Sequence, residues 1–186
     1  MKSRYIPLTQ QPFCCLPTCI QMILLRRKLK LLSQEEIGRE LGLIVPKEYK
    51  KILPLARTGK KPSSGWGTQA SEKKFSINKF LKKFKYPLRE KYFPLSKIKD
   101  VEKWLAKELK EGSDIMVCFN YKRLYGEGND GGHISLIEKI NYYNKTFTLI
   151  DPEGNVPKFR DVKIKKLVNS IKYHGKKNYG GFIVLK

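Results

Sequence analysis

The chain has 186 residues, 40% of them hydrophobic and 30% charged, and its 39 Lys and Arg against 17 Asp and Glu give a formal net charge of +22. That length makes one domain able to bury a core without disulfide help, and the composition is that of an ordinary globular protein rather than a disordered or fibrous one. No apolar run approaches the ~18 to 20 residues of a membrane span, and Met1-Lys2-Ser3-Arg4-Tyr5 leads into prolines and glutamines instead of a signal-type segment, which places the chain in the cytoplasm.

Residues 1 to 13 read as an extended loop carrying Pro7 and Pro12. A helix is expected over about 16 to 28. Pro17 suits its first turn, where an N–H is not needed, and Arg26-Arg27-Lys28 suit its C-terminus. Ile20, Met22, Ile23, Leu24 and Leu25 make it apolar almost all round, as a core helix is. Ser33-Gln34-Glu35-Glu36 has the capping-box spacing and predicts a second helix over Gln34 to Leu41, stopped by Gly42. From Val45 to Ala70 the periodicity fades and Lys60 to Gly67 is rich in Gly, Pro and Ser, so this stretch reads as a long surface loop. Within it Trp66 stands between Gly65 and Gly67, either covering a cleft, where Trp66 and Gly67 would touch substrate, or packing the loop down.

Ser76 should cap a third helix running through Phe84, with Ile77, Phe80, Leu81 and Phe84 on one face and Pro87 beyond its end. Asp100 to Glu111 reads as a fourth, turning Val101, Trp104, Leu105 and Leu109 inward before Gly112. The character then changes. Ile115 to Phe119, His133 to Ile140, Thr146 to Ile150 and Phe182 to Leu185 are strand-like stretches bounded by Gly, Asn and Asp, and 162 to 171 forms a last short helix. The fold class is α+β: one domain over 1–186 with an N-terminal helical part packed on a C-terminal antiparallel sheet.

Two ends of the chain carry chemistry. Cys15, two residues ahead of Pro17, falls at a helix N-terminus, where unpaired N–H groups and the helix dipole favour an anion. Such placement lowers a thiol pKa from roughly 8.5 toward the reactive range. His133 opens a strand directly after Gly131 and Gly132, two glycines that let another chain approach, and Asp151 closes the next strand. In a hairpin turning at Tyr143-Asn144-Lys145 the start of one strand lies beside the end of the other, so His133 and Asp151 become neighbours. That is the geometry of a base whose second ring nitrogen is held by a carboxylate. His174 lies in a basic stretch with no aligned carboxylate. Cys14, Cys15 and Cys19 lack a second Cys/His pair at zinc spacing and resemble no disulfide framework. No G-x-x-x-x-G-K-[ST] occurs, so neither metal nor cofactor is expected.

The stretch Cys15-Leu16-Pro17-Thr18-Cys19-Ile20-Gln21-Met22-Ile23-Leu24 resembles the Cys-Gly-Pro-Ala-Ala-Leu-Ala-Met-Val-Leu motif of papain-like cysteine peptidases of the bacteriocin-processing kind, which cut after double-glycine leaders. Gly132-His133-Ile134-Ser135 and Leu149-Ile150-Asp151-Pro152 resemble that family's histidine and aspartate blocks, in the same order. The resemblance covers both ends of the chain and leaves about 45 to 110 unmatched. It implies a papain-like fold, Cys15 as nucleophile, His133 as base and then acid, and Asp151 as the orienting residue. In that family a glutamine six residues before the cysteine completes the oxyanion hole; Thr9 holds that position here, so Gln10 takes the role. Leu16 replaces the motif's glycine, and a shorter spacer would hand the nucleophile's part to Cys14. Gly131 and Gly132, with Trp66 and Gly67, are the candidate substrate contacts.

The implied chemistry is acyl transfer through a thioester, on a peptide or a small acyl or amide substrate. Water as acceptor gives a peptidase or amidase, and an amine gives an acyltransferase. A non-catalytic basic binding module is the reading from another class. Against it, the excess charge is mostly lysine in pairs scattered along the chain, such as Lys82-Lys83 and Lys165-Lys166, which predicts only non-specific nucleic-acid binding.

Overall fold

Every residue from Leu16 to Leu24 is buried in the first helix, α1 (Cys15–Arg26). The computed structural model describes residues 3–128 and 130–186. Helix α1 starts one residue earlier than the sequence predicts and ends two earlier, putting Cys15 inside the first turn and Arg27 at the C-cap. Its buried Ile20, Met22, Ile23 and Leu24 each contribute about 1.5–3 kcal/mol of transfer free energy, which holds the helix in the core regardless of its modest caps. Helix α2 (Gln34–Glu40) has the full capping box: Ser33 accepts from the Glu36 N–H, and Glu36 accepts from the Ser33 N–H.

The stretch expected as a surface loop is partly core. Strands β1 (Ile44–Val45) and β2 (Arg57–Thr58) pair in parallel, and Leu43, Val45, Leu53 and Ala56 form a minor apolar cluster around Cys14. Helix α3 (Ile77–Lys83) follows; Ser76 precedes it in extended conformation but its hydroxyl makes no cap bond. Strand β3 (Glu90–Phe93), absent from the sequence reading, comes next, then α4 (Val101–Lys110), whose N-terminus is capped by Asp100 accepting from the Lys103 N–H.

Beyond it lie β4 (Asp114–Asn120), α5 (Tyr121–Tyr125), β5 (Gly132–Asn141), β6 (Thr146–Ile150), β7 (Phe159–Lys163), α6 (Ile164–His174) and β8 (Gly181–Leu185). Six strands form one antiparallel sheet in the order β3-β8-β4-β5-β6-β7. Both β7 and α5 escaped the sequence reading, and residues 162 and 163, expected at the start of the last helix, belong to β7. Strand alternation sorts the core into two layers. Met116, Cys118, Ile134, Leu136, Ile150 and Ile183 pack toward α1, α2 and α3. Val117, Phe119, Phe147, Leu149, Phe182 and Val184 pack toward α4, α5 and α6. The helices thus cover both faces of the sheet instead of standing only in front of it.

At the far end of α1 a fully buried carboxylate ties the helix to the sheet. Asp114 accepts from Tyr5 Oη at 2.6 Å and from Arg27 Nε at 2.7 Å, and pairs closely with Arg26 Nη1. Both guanidinium groups also donate to the Gly112 carbonyl. Among the described residues no helix is long and apolar enough to cross a membrane. The lysine pairs sit on separate elements, 82–83 ending α3 and 165–166 opening α6.

Candidate active site

The β5–β6 hairpin does what the strand ends predict. With Leu136 paired to Ile150, the chain beyond β6 runs back alongside the start of β5, and His133 Nε2 meets Asp151 Oδ1 at 2.7 Å with both side chains buried. A carboxylate can only accept, so Nε2 carries the hydrogen and donates, leaving Nδ1 as the ring nitrogen for another partner. Cys15 lies near enough to that ring to bias its protonation.

Burial disfavours the charged ring, but the bond to Asp151, the bond to Cys15 and the negative charge of both outweigh it, and His133 is pushed up to about 10. Burial also works against ionisation of Asp151. Here the hydrogen bond and charge of His133, the Glu153 N–H at 3.1 Å and the Tyr125 hydroxyl at 2.9 Å prevail and hold the carboxyl below its usual range.

Cys15 and Cys14 part company at the helix start. Cys15 is half-buried on the main core, whereas Cys14 is fully buried in the minor cluster, and burial, with Cys15 and Glu35 behind it, pushes its thiol up to about 12. Cys19 sits one turn along α1, its thiol against the Ile134 carbonyl at 3.5 Å, fastening the helix to β5 beside His133. Burial raises Cys19 and Cys118 as well.

Gln10 lies against the turn that follows Asp151. Its backbone N–H donates to the Pro152 carbonyl at 2.8 Å and its Nε2 donates to Glu153 at 2.9 Å, with a second amide hydrogen to spare. Thr9 and Gln11 are exposed, and both are tied through their backbone to the Gln34 side chain. Gly67 reaches the site from the other side. It pairs with Ile44, has a φ of +115°, and a Cβ there would stand 3.6 Å from the Phe13 carbonyl, just ahead of the two cysteines. What packs this loop down is Gln69, whose amide donates to the Gly65 and Gly67 carbonyls; Trp66 remains half-buried beside it.

At Gly132 the neighbour that approaches is His174. Helix α6 runs to residue 174, three beyond its expected end, and lays the imidazole where a Cβ on Gly132 would come within 2.6 Å of the ring. Burial lowers the pKa of His174. A cavity of about 710 Å³ lies elsewhere, lined by Arg4, Leu109, Glu138, Ile140 and Phe159, and includes none of the predicted site residues.

The sequence reading missed what surrounds the dyad. The rings of Phe119 and Tyr121 stand edge-on to His133 at 5.7 and 5.0 Å. Tyr125 donates to Asp151 Oδ2, and the Arg160 guanidinium lies over the Tyr125 ring at 3.3 Å with Nη1 3.7 Å from the same oxygen. The bracketing of Tyr121–Tyr125 by an Asn120 cap and a left-handed Gly126 was the available signal for the short helix that carries both tyrosines.

No protein-family model matches the chain, and no curated protein shows significant similarity to it. Among solved structures it is similar to the crystal structure of a "putative C39-like peptidase" from Bacillus anthracis, at a TM-score of 0.60 and 14% identity, over 97% of this chain and 94% of that one. The chain has the α+β, papain-like peptidase fold.

Proposed function

We propose that this chain is a cysteine-dependent acyl-transfer enzyme of the cytoplasm that hydrolyses a peptide or amide bond, with Cys15 as nucleophile, His133 as base and then acid, and Asp151 as the orienting carboxylate. The observation that carries the reading is the buried 2.7 Å bond from His133 Nε2 to Asp151, which leaves Nδ1 as the ring nitrogen that would serve the Cys15 thiol at the start of a buried helix. Before attack the Cys15 proton has passed to Nδ1, in keeping with the raised His133 pKa; the S–C bond then forms at the scissile carbonyl as its π pair moves to oxygen, which becomes an oxyanion. The Cys15 N–H, which has no partner within its own helix, and the spare hydrogen of Gln10 Nε2 are its donors. His133 then protonates the leaving amine as the C–N bond breaks. Water, deprotonated by the same ring, attacks the thioester and releases the acid. An amine in place of that water would make the enzyme a transferase.

The finer kinship, with peptidases that cut after double-glycine leaders, rests on the motif that begins at Cys15 and on the order of the three blocks. Intact-protein mass spectrometry after exposure to peptide thioesters, esters and amides, a double-glycine leader peptide among them, tests both levels. The wild type should gain one acyl mass that hydroxylamine removes, and Cys15→Ala should gain none. An adduct on Cys14 would move the nucleophile, and the absence of any adduct across the panel would overturn the reading.

A further inference from the structure

We propose that Tyr125 and Arg160 are positioning residues of the dyad: together they hold the second oxygen of Asp151 and so fix how its first oxygen faces His133. This rests on the reading of Cys15, His133 and Asp151 as one catalytic group.

A carboxylate on a free Cβ–Cγ bond can turn or exchange its oxygens. Oδ1 of Asp151 is engaged by His133 and the Glu153 N–H, which leaves the carboxylate's second oxygen to be held by other partners. Tyr125 supplies that hold at 2.9 Å from α5, and Arg160 adds a cation at 3.7 Å from β7. Neither is loose. The guanidinium covers the Tyr125 ring and binds Tyr121 Oη at 3.3 Å, and the Tyr121 ring stands 5.0 Å from that of His133. The contacts close a circuit through His133, Asp151, Tyr125, Arg160 and Tyr121, drawn from four separate segments of chain. Burial, and then the Asp151 charge, raise the Tyr125 phenol, so it remains a donor wherever the dyad is ionised.

A donor on Oδ2 draws negative charge away from Oδ1. Without it, more of the carboxylate's charge faces Nε2–H, and the ring keeps its proton to a higher pH. The ionisable groups that face the dyad are Cys15 and Cys19 on α1, Tyr121 and Tyr125 on α5, Arg160 on β7 and Glu153 in the turn after β6.

Proton NMR of the imidazoles between pH 5 and 11 reads this without a substrate, since the chain has two histidines, and His174→Asn identifies which signal is which. In Tyr125→Phe, which keeps the ring, and in Arg160→Gln, the His133 midpoint should rise by about half a unit or more with His174 unmoved. Arg160→Lys, keeping the cation, should return it most of the way. Iodoacetamide alkylation of Cys15 should show a parallel shift in its pH profile. Cys15→Ser separates the two levels. If it leaves the His133 midpoint in place, the thiol is not the ring's partner and the parent reading falls. If it moves the midpoint while both Tyr125→Phe and Arg160→Gln leave it unchanged or lower, the positioning role is overturned, and should one of these variants fail to fold, the other decides.

Discussion

Two buried aspartates sit near opposite ends of helix α1, and they are built from nearly the same parts. Asp114 takes a tyrosine hydroxyl and two arginines, with the Arg26 guanidinium over the Tyr5 ring at 5.5 Å. Asp151 takes a tyrosine hydroxyl, one arginine over that tyrosine's ring, and a histidine. The difference is the histidine. At Asp114 the cations are guanidinium groups, which do not give up a proton, and the cluster acts as a clamp between α1 and β4. At Asp151 the place of one arginine is taken by a ring that can give up its proton. The same polar kit thus makes a rivet in one place and a proton-handling device in the other.

The most severe way to break this contrast is to remove the groups that should act as a unit. With an acyl substrate in hand, Cys15→Ala and His133→Ala should each lower turnover on the order of 10⁴-fold or more, and the double variant little further. Additive losses would mean that the Asp151 cluster is no more a single device than the Asp114 cluster is. Next in size is the exchange of roles between the two aspartates. Asp151→Asn should cut turnover by roughly 10²- to 10⁴-fold, because the ring loses its orientation, and should lower the denaturation midpoint less than Asp114→Asn does. Asp114→Asn should do the reverse, destabilising by about 3 kcal/mol as two arginines are left beside a neutral amide, while the pH profile of Cys15 alkylation stays in place. A denaturant titration of both variants beside that profile would expose any crossing of the roles.

Smaller, and specific to the titratable cluster, is the effect of pH on stability. Below about 6.5 the His133 ring is charged in both folded and unfolded chains, and its pairing contributes in full. Above that the unfolded chain sheds the proton while the folded one keeps it, so this contribution is lost progressively as pH rises to about 10. Asp151, held low when folded, contributes above its unfolded value of 3.8 and ceases to contribute as the pH falls through its lower folded value. Melting curves should therefore show an alkaline decline that His133→Gln flattens, and an unchanged decline in that variant would assign the loss elsewhere. The least effect is one of selectivity. Limiting iodoacetamide at neutral pH should label Cys15 and spare Cys14, Cys19 and Cys118, whose thiols burial keeps protonated. Equal labelling of Cys14 on peptide mapping would contradict the buried position that sets it apart.

The rivet and the device were not equally legible in the sequence. His133 and Asp151 could be paired because a hairpin brings strand start to strand end, and α1 announced itself through Pro17 and an unbroken apolar run. Strands β3 and β7 were invisible for a physical reason. They are the sheet's edges, with residues such as Lys91 and Lys163 exposed, so neither carries an apolar run. Arg160 belongs to one of those edges, and no local pattern says that a charged residue there turns inward to a buried carboxylate. The stretch from 45 to 70 hid its buried Leu53 and Ala56 in the irregular turn between a 3₁₀ stretch over 47–51 and a two-residue strand, elements too short for any period to register. The Asp114 clamp was equally hidden, because Tyr5 reaches it across 109 positions of sequence.

Strand β8 has a consequence for how the molecule comes into being. It lies second in the sheet, hydrogen-bonded to β3 on one side and β4 on the other, and all five of its residues are buried. Translation delivers Cys15 early and His133 and Asp151 well before Gly181, yet until Leu185 has cleared the ribosome β4 has an open edge and the layer around Phe182 and Val184 is unfilled. A nascent chain paused short of that point carries Cys15, His133 and Asp151 beside a sheet that still lacks an inner strand.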